Sequence, residues 1–352
     1  MKTLILVACA VALCFAAFGA TGAHSGVWTA EMPKDRLQLT LFQNERLRGT
    51  DNSDRPPRHY DNMTSFSLPL TELTGLTRED IAAGAANVKF SLNRQAGVVT
   101  FDGRFSDGSG AGHFDFRANE AFVRDLGALG FTGFRDDELL MFATNNLTLE
   151  TVRGLQALNY HPTNRELVEV AIFDITPAAV KEFTRLGYPD LTLRELVNFR
   201  VGRVDAAFIE GMRQAGYSNL SARQLADAAI LRVTPAYVRE LKAAGIDTSS
   251  LKATTELKIG HIDAKRIDEY RRAGYGNLTA RELSEMGIQG VTPAFIEDLR
   301  TLGYDKIPVR QLVEMKIFGV TPEYIRKMTS AGYANVPVEK LLKMKMAGLA
   351  VR

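Results

Sequence analysis

The sequence predicts an α+β protein, in which a small antiparallel β-domain precedes an α-solenoid of 29-residue repeats with two helices each. Two observations support this fold class. Apolar residues alternate with a period of two up to about residue 118, and a short pattern that opens with Thr-Pro recurs beyond it. The Thr-Pro pairs begin at Thr176, Thr234, Thr292 and Thr321, at intervals that are multiples of 29 residues. Periodicity of this length is typical of solenoids, whose repeats contact mainly their neighbours.

Residues 1–23 have the features of a secretory signal peptide. Lys2 precedes an apolar run over 4–18, and small residues follow as far as Ala23. The run is shorter than a membrane span needs, and no later stretch is apolar enough to cross a bilayer. We expect cleavage after Ala23, with cleavage within 19–22 as the alternative, and an extracytoplasmic mature chain, either periplasmic or secreted.

Both cysteines, Cys9 and Cys14, lie inside this leader. The residues up to Cys9 resemble a lipoprotein cleavage box, but too few apolar residues precede it for a normal signal core. Lipidation of Cys9 is therefore the lesser alternative. Without it, the mature chain has no cysteine, and its fold must be stable without disulfide bonds.

Residues 24–118 are predicted to form the β-domain, with five or six strands. Apolar alternation that is bounded by glycine-rich turns indicates half-buried antiparallel strands. The alternating residues are Leu37, Leu39 and Leu41; Phe66, Leu68 and Leu70; Val88, Phe90 and Leu92; Val99 and Phe101; and Phe114 and Phe116. Thr77 is predicted to cap one short helix, and the segment 107–112 is predicted to be a hairpin turn rather than a calcium loop.

Residues 119–352 are predicted to form about eight repeats, from a degenerate unit at Asn119 to a last unit at Thr321. Thr is a good helix N-cap, and Pro suits the first helical position. The first helix of each repeat should end at a residue in the left-handed conformation, which glycine adopts most readily. The residues predicted to end it are Gly130, Asn159, Gly187, Gly216, Gly245, Gly274, Gly303 and Gly332, and an aromatic residue follows most of them.

The second helix of the repeat has its own start signal, a capping box. The boxes are Thr163–Glu166, Thr192–Glu195, Ser221–Gln224 and Thr279–Glu282. The repeat that begins at Thr234 departs from the pattern, because Thr254 replaces the core leucine of the second helix and Ser249 replaces an apolar turn residue. We expect the second helix of this repeat to be shorter than the others or shifted.

Two strings carry a resemblance to known proteins. They are VTPxYIRxMxxAGYxNVxxxxLxxMK over 320–345 and AGVVTFDGRFSDGSGAGHFDF over 96–116. The pattern resembles a helical-repeat region of exported bacterial proteins and the repeats that follow the peptidase domain of membrane metallopeptidases of the beta-lactam-sensor regulator type. The likeness covers essentially everything after the leader, and it implies a bacterial source and an extracytoplasmic module. It does not imply peptidase activity, since the chain has no His-Glu-x-x-His motif and no transmembrane segment of that family.

Composition and spacing argue against several classes of function. Lys and Arg number 43 against 41 for Asp and Glu, so the formal net charge is +2, whereas a nucleic-acid groove needs a concentrated basic footprint. The five histidines do not pair at metal-ligand spacing, and no catalytic constellation is visible. We therefore predict no nucleic-acid partner, no metal, no cofactor and no enzymatic activity.

The most regular polar feature is a basic column, one residue from each of six consecutive repeats. It consists of Arg165, Arg194, Arg223, Lys252, Arg281 and Arg310. An acidic column recurs with the same period on the first helices and consists of Asp125, Glu182, Glu240, Glu269 and Asp298. We expect the two columns to form interhelical salt bridges; the alternative is that the basic column binds an anionic polymer.

The end of the chain is the second candidate surface, because Leu342, Met344, Met346 and Leu349 would be exposed if no further repeat covers them. Together these features predict a non-enzymatic exported scaffold that binds a protein partner or its own copies. The alternative is a small-ligand site or an enzyme in the β-domain or at its junction with the repeats.

Overall fold

The structure, a computed structural model, describes residues 24–43 and 62–348. Within these ranges the fold is α+β, as predicted: an antiparallel sheet precedes a series of regularly spaced short helices. Strand gives way to helix between Ala118 and Glu120, at the predicted boundary. The compact units divide later, after Asp174, because helices that follow the sheet in sequence pack against it. The leader and its cysteines lie outside the described residues.

The sheet has seven antiparallel strands, in the order β3-β2-β1-β7-β6-β5-β4. They are β1 His24–Glu31, β2 Arg36–Gln43, β3 Asn62–Pro69, β4 Leu73–Thr74, β5 Ala86–Arg94, β6 Gly97–Ser106 and β7 Ser109–Ala118. The prediction of five or six strands was wrong, because it missed β1 and the two-residue β4. In β1, Gly26 and Ala30 stand at positions that apolar side chains usually fill, so its alternation is weak in the sequence.

Trp28 is the centre of the sheet's core and is fully buried. Its ring contacts Phe90, Phe101 and Phe105 at centroid distances of 5.4, 6.1 and 5.7 Å. Its indole N–H donates to the Asp102 carbonyl at 3.3 Å. A buried indole needs such a partner, since an unpaired polar group in a core is costly.

The predicted short helix, α1 Arg78–Ala82, is confirmed, and Thr77 forms a capping box with Asp80. Sixteen helices of eight to ten residues follow among the described residues. The first helices of the repeats are α2 Glu120–Ala128, α4 Leu149–Gln156, α6 Pro177–Arg185, α8 Ala206–Gln214, α10 Pro235–Ala243, α12 Ala264–Arg272, α14 Pro293–Thr301 and α16 Pro322–Ser330. The second helices are α3 Asp136–Thr144, α5 Asn164–Ile172, α7 Leu193–Gly202, α9 Ala222–Ile230, α11 Leu251–Ile259, α13 Ala280–Ile288, α15 Val309–Phe318 and α17 Val338–Met346.

Within the first compact unit, α3 packs against β5, β6 and β7. The backbone N–H of Leu149, at the start of α4, donates to the Gln95 side chain at 3.1 Å, and the N–H of Asn119 donates to the Ala96 carbonyl. The turn between β5 and β6 is thereby joined to the beginning of the helical region.

The predicted caps are confirmed in every repeat. Each first helix begins after a residue whose side chain accepts a backbone N–H of the first turn; these residues are Asn119, Thr148, Thr176, Asp205, Thr234, Asp263, Thr292 and Thr321. All four predicted capping boxes are present. In the last of them, the backbone N–H and the hydroxyl of Thr279 donate to Glu282 and hold its pKa below the usual value.

The predicted helix stops are also confirmed. The seven glycines have φ between 80° and 112°, and Asn159 has φ 64°. A second column of left-handed residues, which the sequence analysis missed, ends the second helices. It consists of Asn146, Asp174, Arg203, Arg232, His261, Gly290, Gly319 and Gly348. In both columns, the backbone N–H of the residue after the left-handed one donates to the carbonyl five residues earlier, as Val233 does to Ala228. This bond is typical of a Schellman cap.

The prediction for the repeat at Thr234 was wrong. Its second helix, α11, has nine residues and keeps the 29-residue spacing from the second helices on either side. Thr254 is fully buried in place of the leucine, and its hydroxyl lies 2.9 Å from the hydroxyl of Tyr217. The helix therefore keeps its length and register because the buried hydroxyl is hydrogen-bonded.

In the second compact unit, like helices are neighbours. First helices contact first helices, as α8 with α10 and α12 with α14, and second helices contact second helices, as α7 with α9 and α11 with α13. Small residues allow α11 and α13 to approach closely, since a Cβ atom at Gly287 would overlap the Gly260 carbonyl oxygen. The unit is thus two layers of helices, each built from one helix per repeat.

Candidate interaction surface

The predicted basic column lies at the second position of the second helices. Its side chains reach into solvent, with exposed fractions of 86–90% for the five that form ion pairs. Arg194, the remaining member, is also exposed. The column is therefore a surface feature, as an interaction surface requires.

The partners of the basic column differ from those expected. Each paired residue contacts an acid four residues later in its own helix, and none of the ion pairs among the described residues joins it to the predicted acidic column. The pairs are Arg165–Glu169 (3.5 Å), Arg223–Asp227 (3.7 Å), Lys252–Glu256 (3.9 Å), Arg281–Glu285 (2.9 Å) and Arg310–Glu314 (2.9 Å). The prediction of an interhelical ladder was wrong, because a residue one helical turn away is nearer than any on the first helix.

The acidic column has other contacts. Glu269 pairs with Lys265 and Arg266 of its own helix. Glu240 accepts the backbone N–H of Ala264 at 3.3 Å, at the start of the first helix of the following repeat. A carboxylate beside a helix N-terminus is favourable because of the unpaired N–H groups there.

The intrahelical acids leave the basic column nearly neutral. Glu285 accepts a hydrogen bond from the exposed Arg281 and raises the pKa of its guanidinium. Exposed pairs of this kind stabilise a helix by about 0.3–0.5 kcal/mol each. Since every paired base faces an acid on the same helix, the column does not form a continuous positive strip of the kind that would bind an anionic polymer.

A third column, which the sequence analysis missed, consists of exposed apolar residues at the last turn of the second helices. In the second compact unit its members are Val201, Ile230, Ile259, Ile288, Ile317 and Met346, with exposed fractions of 52, 45, 50, 53, 55 and 62%. They recur every 29 residues, and Ile172 has the corresponding position in the first unit, with 44% exposure. Large apolar side chains are common on protein surfaces, but a column of six at one repeat position is not random scatter.

Basic, acidic and apolar residues share one face of four second helices of this unit, α9, α11, α13 and α15. In α11 they are Lys252, Glu256 and Ile259, and the spacing of four and then three residues places all three side chains on the same side of a helix. The two outer helices keep only part of the set, since α7 has Asn198 at the acidic position and α17 has its two charges exchanged. We call this surface, from α7 to α17, the three-column face. Aligning the repeats at their second helices would have shown its apolar column, because an aliphatic residue or Met stands at that position in each.

The predicted C-terminal surface is only partly present. Leu342 is buried, with 6% exposure, and Met344 is half-buried. The expectation that Leu342 is exposed was wrong, because it belongs to the core together with Leu341. Met346 is 62% exposed and belongs to the apolar column, while Leu349 lies outside the described residues.

Two hydrogen-bonded ladders join successive repeats behind this face. In the first, tyrosines after the first helices donate to the carbonyl that lies 31 or 32 residues later, before the next repeat's second helix. The bonds are Tyr188–Leu220 (3.0 Å), Tyr217–Thr248 (2.6 Å), Tyr275–Ile307 (2.8 Å) and Tyr304–Val336 (2.8 Å). Burial raises the pKa of all four phenols.

In the second ladder, a cation near the end of one first helix donates to the last carbonyl of the preceding first helix. Arg213 bonds to Leu186 at 2.5 Å, Lys242 to Ala215 at 3.0 Å and Arg271 to Ala244 at 2.5 Å. A positive charge at a helix C-terminus also interacts favourably with the helix dipole. The tyrosines and these cations thus join successive repeats, and the sequence analysis did not predict the role of the cations.

Neither a metal centre nor a membrane helix is present in the part of the chain that the structure describes. No group of three His, Cys, Asp or Glu residues in that part is arranged to hold a metal ion. No helix there combines the length and apolarity that crossing a membrane requires. Comparisons of the chain with protein-family profiles, with curated proteins and with solved structures found no match.

Proposed function

We propose that this protein is an exported, non-enzymatic scaffold that binds a protein partner, or copies of itself, through the three-column face. The observation that carries the proposal is the exposed apolar column, which repeats along the second compact unit. Apolar side chains lose contact with water when a partner covers them, and this is the main favourable term in most protein association. Export is inferred from the leader over 1–23.

The spacing of the column suits a helical partner. Neighbouring helices pack about 8–10 Å apart, so successive apolar residues of the column are separated by about that distance. A helix rises about 1.5 Å per residue, so its residues at seven-residue intervals are about 10.5 Å apart. We therefore infer that the partner segment is an amphipathic helix with one apolar residue in each heptad, lying across the second helices.

The charged columns give such a partner its orientation. Basic and acidic side chains run beside the apolar column at fixed offsets of seven and three residues. Both charged columns lie on the same side of the apolar column, with the acids nearer to it. A partner helix that has basic residues along one flank of its apolar line and acidic residues along the other places its basic flank beside these acids in one orientation and its acidic flank there in the reverse orientation. Rim charges of this kind contribute mainly to specificity and association rate. No observation of the described sheet favours the alternative of a ligand site or an enzyme there.

The test uses a designed helical peptide of about four heptads, with Leu at every seventh position and Lys and Glu elsewhere. We expect fluorescence anisotropy to show binding to the mature chain, and at least tenfold weaker binding to the double variant Ile259→Gln, Ile288→Gln. The matched control is Met63→Gln with Val123→Gln, two exposed apolar residues outside the column, and it should bind as the unmodified chain does.

Sedimentation of the mature chain over micromolar concentrations tests the self-association arm. A larger species that dissociates in the Ile259→Gln, Ile288→Gln variant supports assembly through this face. If the chain is a monomer and the peptide does not bind, or if both double variants behave alike, the three-column face is not an interaction surface.

A further inference from the structure

One repeat lacks the tyrosine that its neighbours use to join the next repeat. In six of the eight repeats the residue after the first helix stop is tyrosine, and in the first it is Phe131. Ile246 is the one aliphatic residue in this column. Four of the tyrosines donate to a carbonyl in the following repeat, which lies 32 residues later in three of the four bonds. The carbonyl at the corresponding distance from Ile246 is that of Leu278.

A cavity of about 350 Å³ is lined by both Ile246 and Leu278, the two residues that a tyrosine bond would join. Its walls include Ile246, Arg271, Tyr275, Leu278, Thr279 and Leu283. No hydroxyl among the described residues donates to the Leu278 carbonyl, whereas the equivalent carbonyls of Leu220, Ile307 and Val336 each accept one. The cavity and its open acceptor therefore have one cause, the change from tyrosine to isoleucine at position 246.

The chemistry of the walls suits an aromatic ring with a hydroxyl group. Ile246 and Leu283 provide apolar contact, and the Leu278 carbonyl is an acceptor for a hydroxyl. Arg271 is fixed at the wall, because it donates to the Ala244 carbonyl at 2.5 Å and pairs with Asp268 at 2.9 Å. A guanidinium held beside a ring attracts its face. The volume is at the lower end of the range for small-molecule pockets, about 300–1,000 Å³.

We propose that this cavity binds a para-substituted phenol, whose ring replaces the missing tyrosine side chain and whose hydroxyl donates to the Leu278 carbonyl. The ligand is either a free phenolic compound or a tyrosine side chain of a partner protein, since the two share this chemistry. The cavity and the apolar column lie at opposite ends of α13: Thr279 precedes the first residue of this helix, whereas Ile288, in the apolar column, is its last residue.

The direct test measures the binding of 4-methylphenol to the mature chain by titration calorimetry and by NMR. We expect one molecule to bind per chain, and toluene to bind about fivefold more weakly because it cannot donate the hydrogen bond. N-acetyl-tyrosinamide distinguishes the two sources. If it binds as tightly as 4-methylphenol, the site accepts a tyrosine within a polypeptide; if only 4-methylphenol binds, the natural ligand is a free phenol.

Substitutions at position 246 provide the second test. Ile246→Tyr should close the cavity from within, raise the melting temperature and reduce 4-methylphenol binding at least tenfold. Ile246→Phe fills the same volume without a hydroxyl and should likewise reduce 4-methylphenol binding at least tenfold. The result therefore does not depend on a single variant. Met63→Tyr adds the same ring at an exposed position of the sheet, outside the cavity, and should bind 4-methylphenol as the unmodified chain does. Absence of 4-methylphenol binding at millimolar concentration, or unchanged binding by both position-246 variants, would overturn the proposal.

Discussion

The sheet and the second compact unit bury their cores in different ways. In the sheet, Trp28 of β1 contacts phenylalanines from β5 and β6, far along the chain, and this cluster occurs once. In the second unit, core contacts recur from repeat to repeat, as the tyrosine bonds to carbonyls 31 or 32 residues later show. A solenoid's stability is approximately a sum of equivalent terms, whereas the aromatic cluster has no second copy.

The difference has a consequence for function. A departure from the pattern in one repeat, such as Ile246 or Thr254, can be recognised because its neighbours show what is usual at that position. The sheet has no repeated unit, so no neighbouring copy shows which residue is usual at a given position. Three substitutions test this difference, in order of decreasing expected effect.

The largest effect is expected for Trp28→Ala, because it removes the centre of a cluster that occurs once. Replacing a buried Trp by Ala typically destabilises a protein by about 3–5 kcal/mol. Urea unfolding followed by far-UV circular dichroism should show a loss of this size. The control Met63→Ala, at a side chain of the same sheet that is 66% exposed, should stay within about 0.5 kcal/mol. A loss of under about 1 kcal/mol for Trp28→Ala would show that the cluster is not central to the sheet.

A smaller effect is expected for Gly287→Ala, which alters one of several contacts between second helices. The added Cβ would overlap the Gly260 carbonyl oxygen, so α11 and α13 must move apart. Overpacking costs about 1–3 kcal/mol, and the higher helix propensity of Ala offsets up to about 1 kcal/mol of it. We expect a net loss of about 1–2 kcal/mol in the free energy of unfolding.

The control for this substitution is Gly276→Ala. A Cβ at Gly276 meets no atom within 4 Å, and its φ is not in the left-handed region. Its free energy of unfolding should change by less than about 0.5 kcal/mol. If Gly287→Ala were equally neutral, close approach of the second helices would not be a requirement of this stack.

The smallest effect is expected for Gly274→Ala, which changes the backbone preference of one helix stop without any clash. Gly274 has φ +94°, and no atom lies within 4 Å of an added Cβ. A left-handed residue other than glycine costs about 1–2 kcal/mol, and we expect the lower end of this range. Thermal unfolding of Gly274→Asn provides the comparison, because Asn159 has this role in another repeat. The Asn variant should be the more stable of the two, and the opposite order would contradict the assignment of these glycines to helix stops.

Local patterns in the sequence were sufficient to predict the helices, the caps of the first helices and the stops that follow them. The N-caps, the capping boxes and the left-handed stops depend on hydrogen bonds within one turn of the chain, so residues such as Thr176 and Gly187 could be interpreted without knowing what packs on them. The same reasoning missed the stops at Arg203, Arg232 and His261, because Arg and His are not residue types that favour a left-handed backbone.

The exposure of the side chains and the identity of their partners depend on the tertiary structure. The exposed apolar column, the intrahelical partners of Arg223 and Arg281, and the burial of Leu342 all depend on which helix faces a neighbour. The burial of Thr254 likewise depends on a neighbour, because its hydroxyl is hydrogen-bonded to the hydroxyl of Tyr217 from the preceding repeat. The reason is that a cap is satisfied within its own turn of the chain, whereas burial and pairing are set by residues about one repeat away.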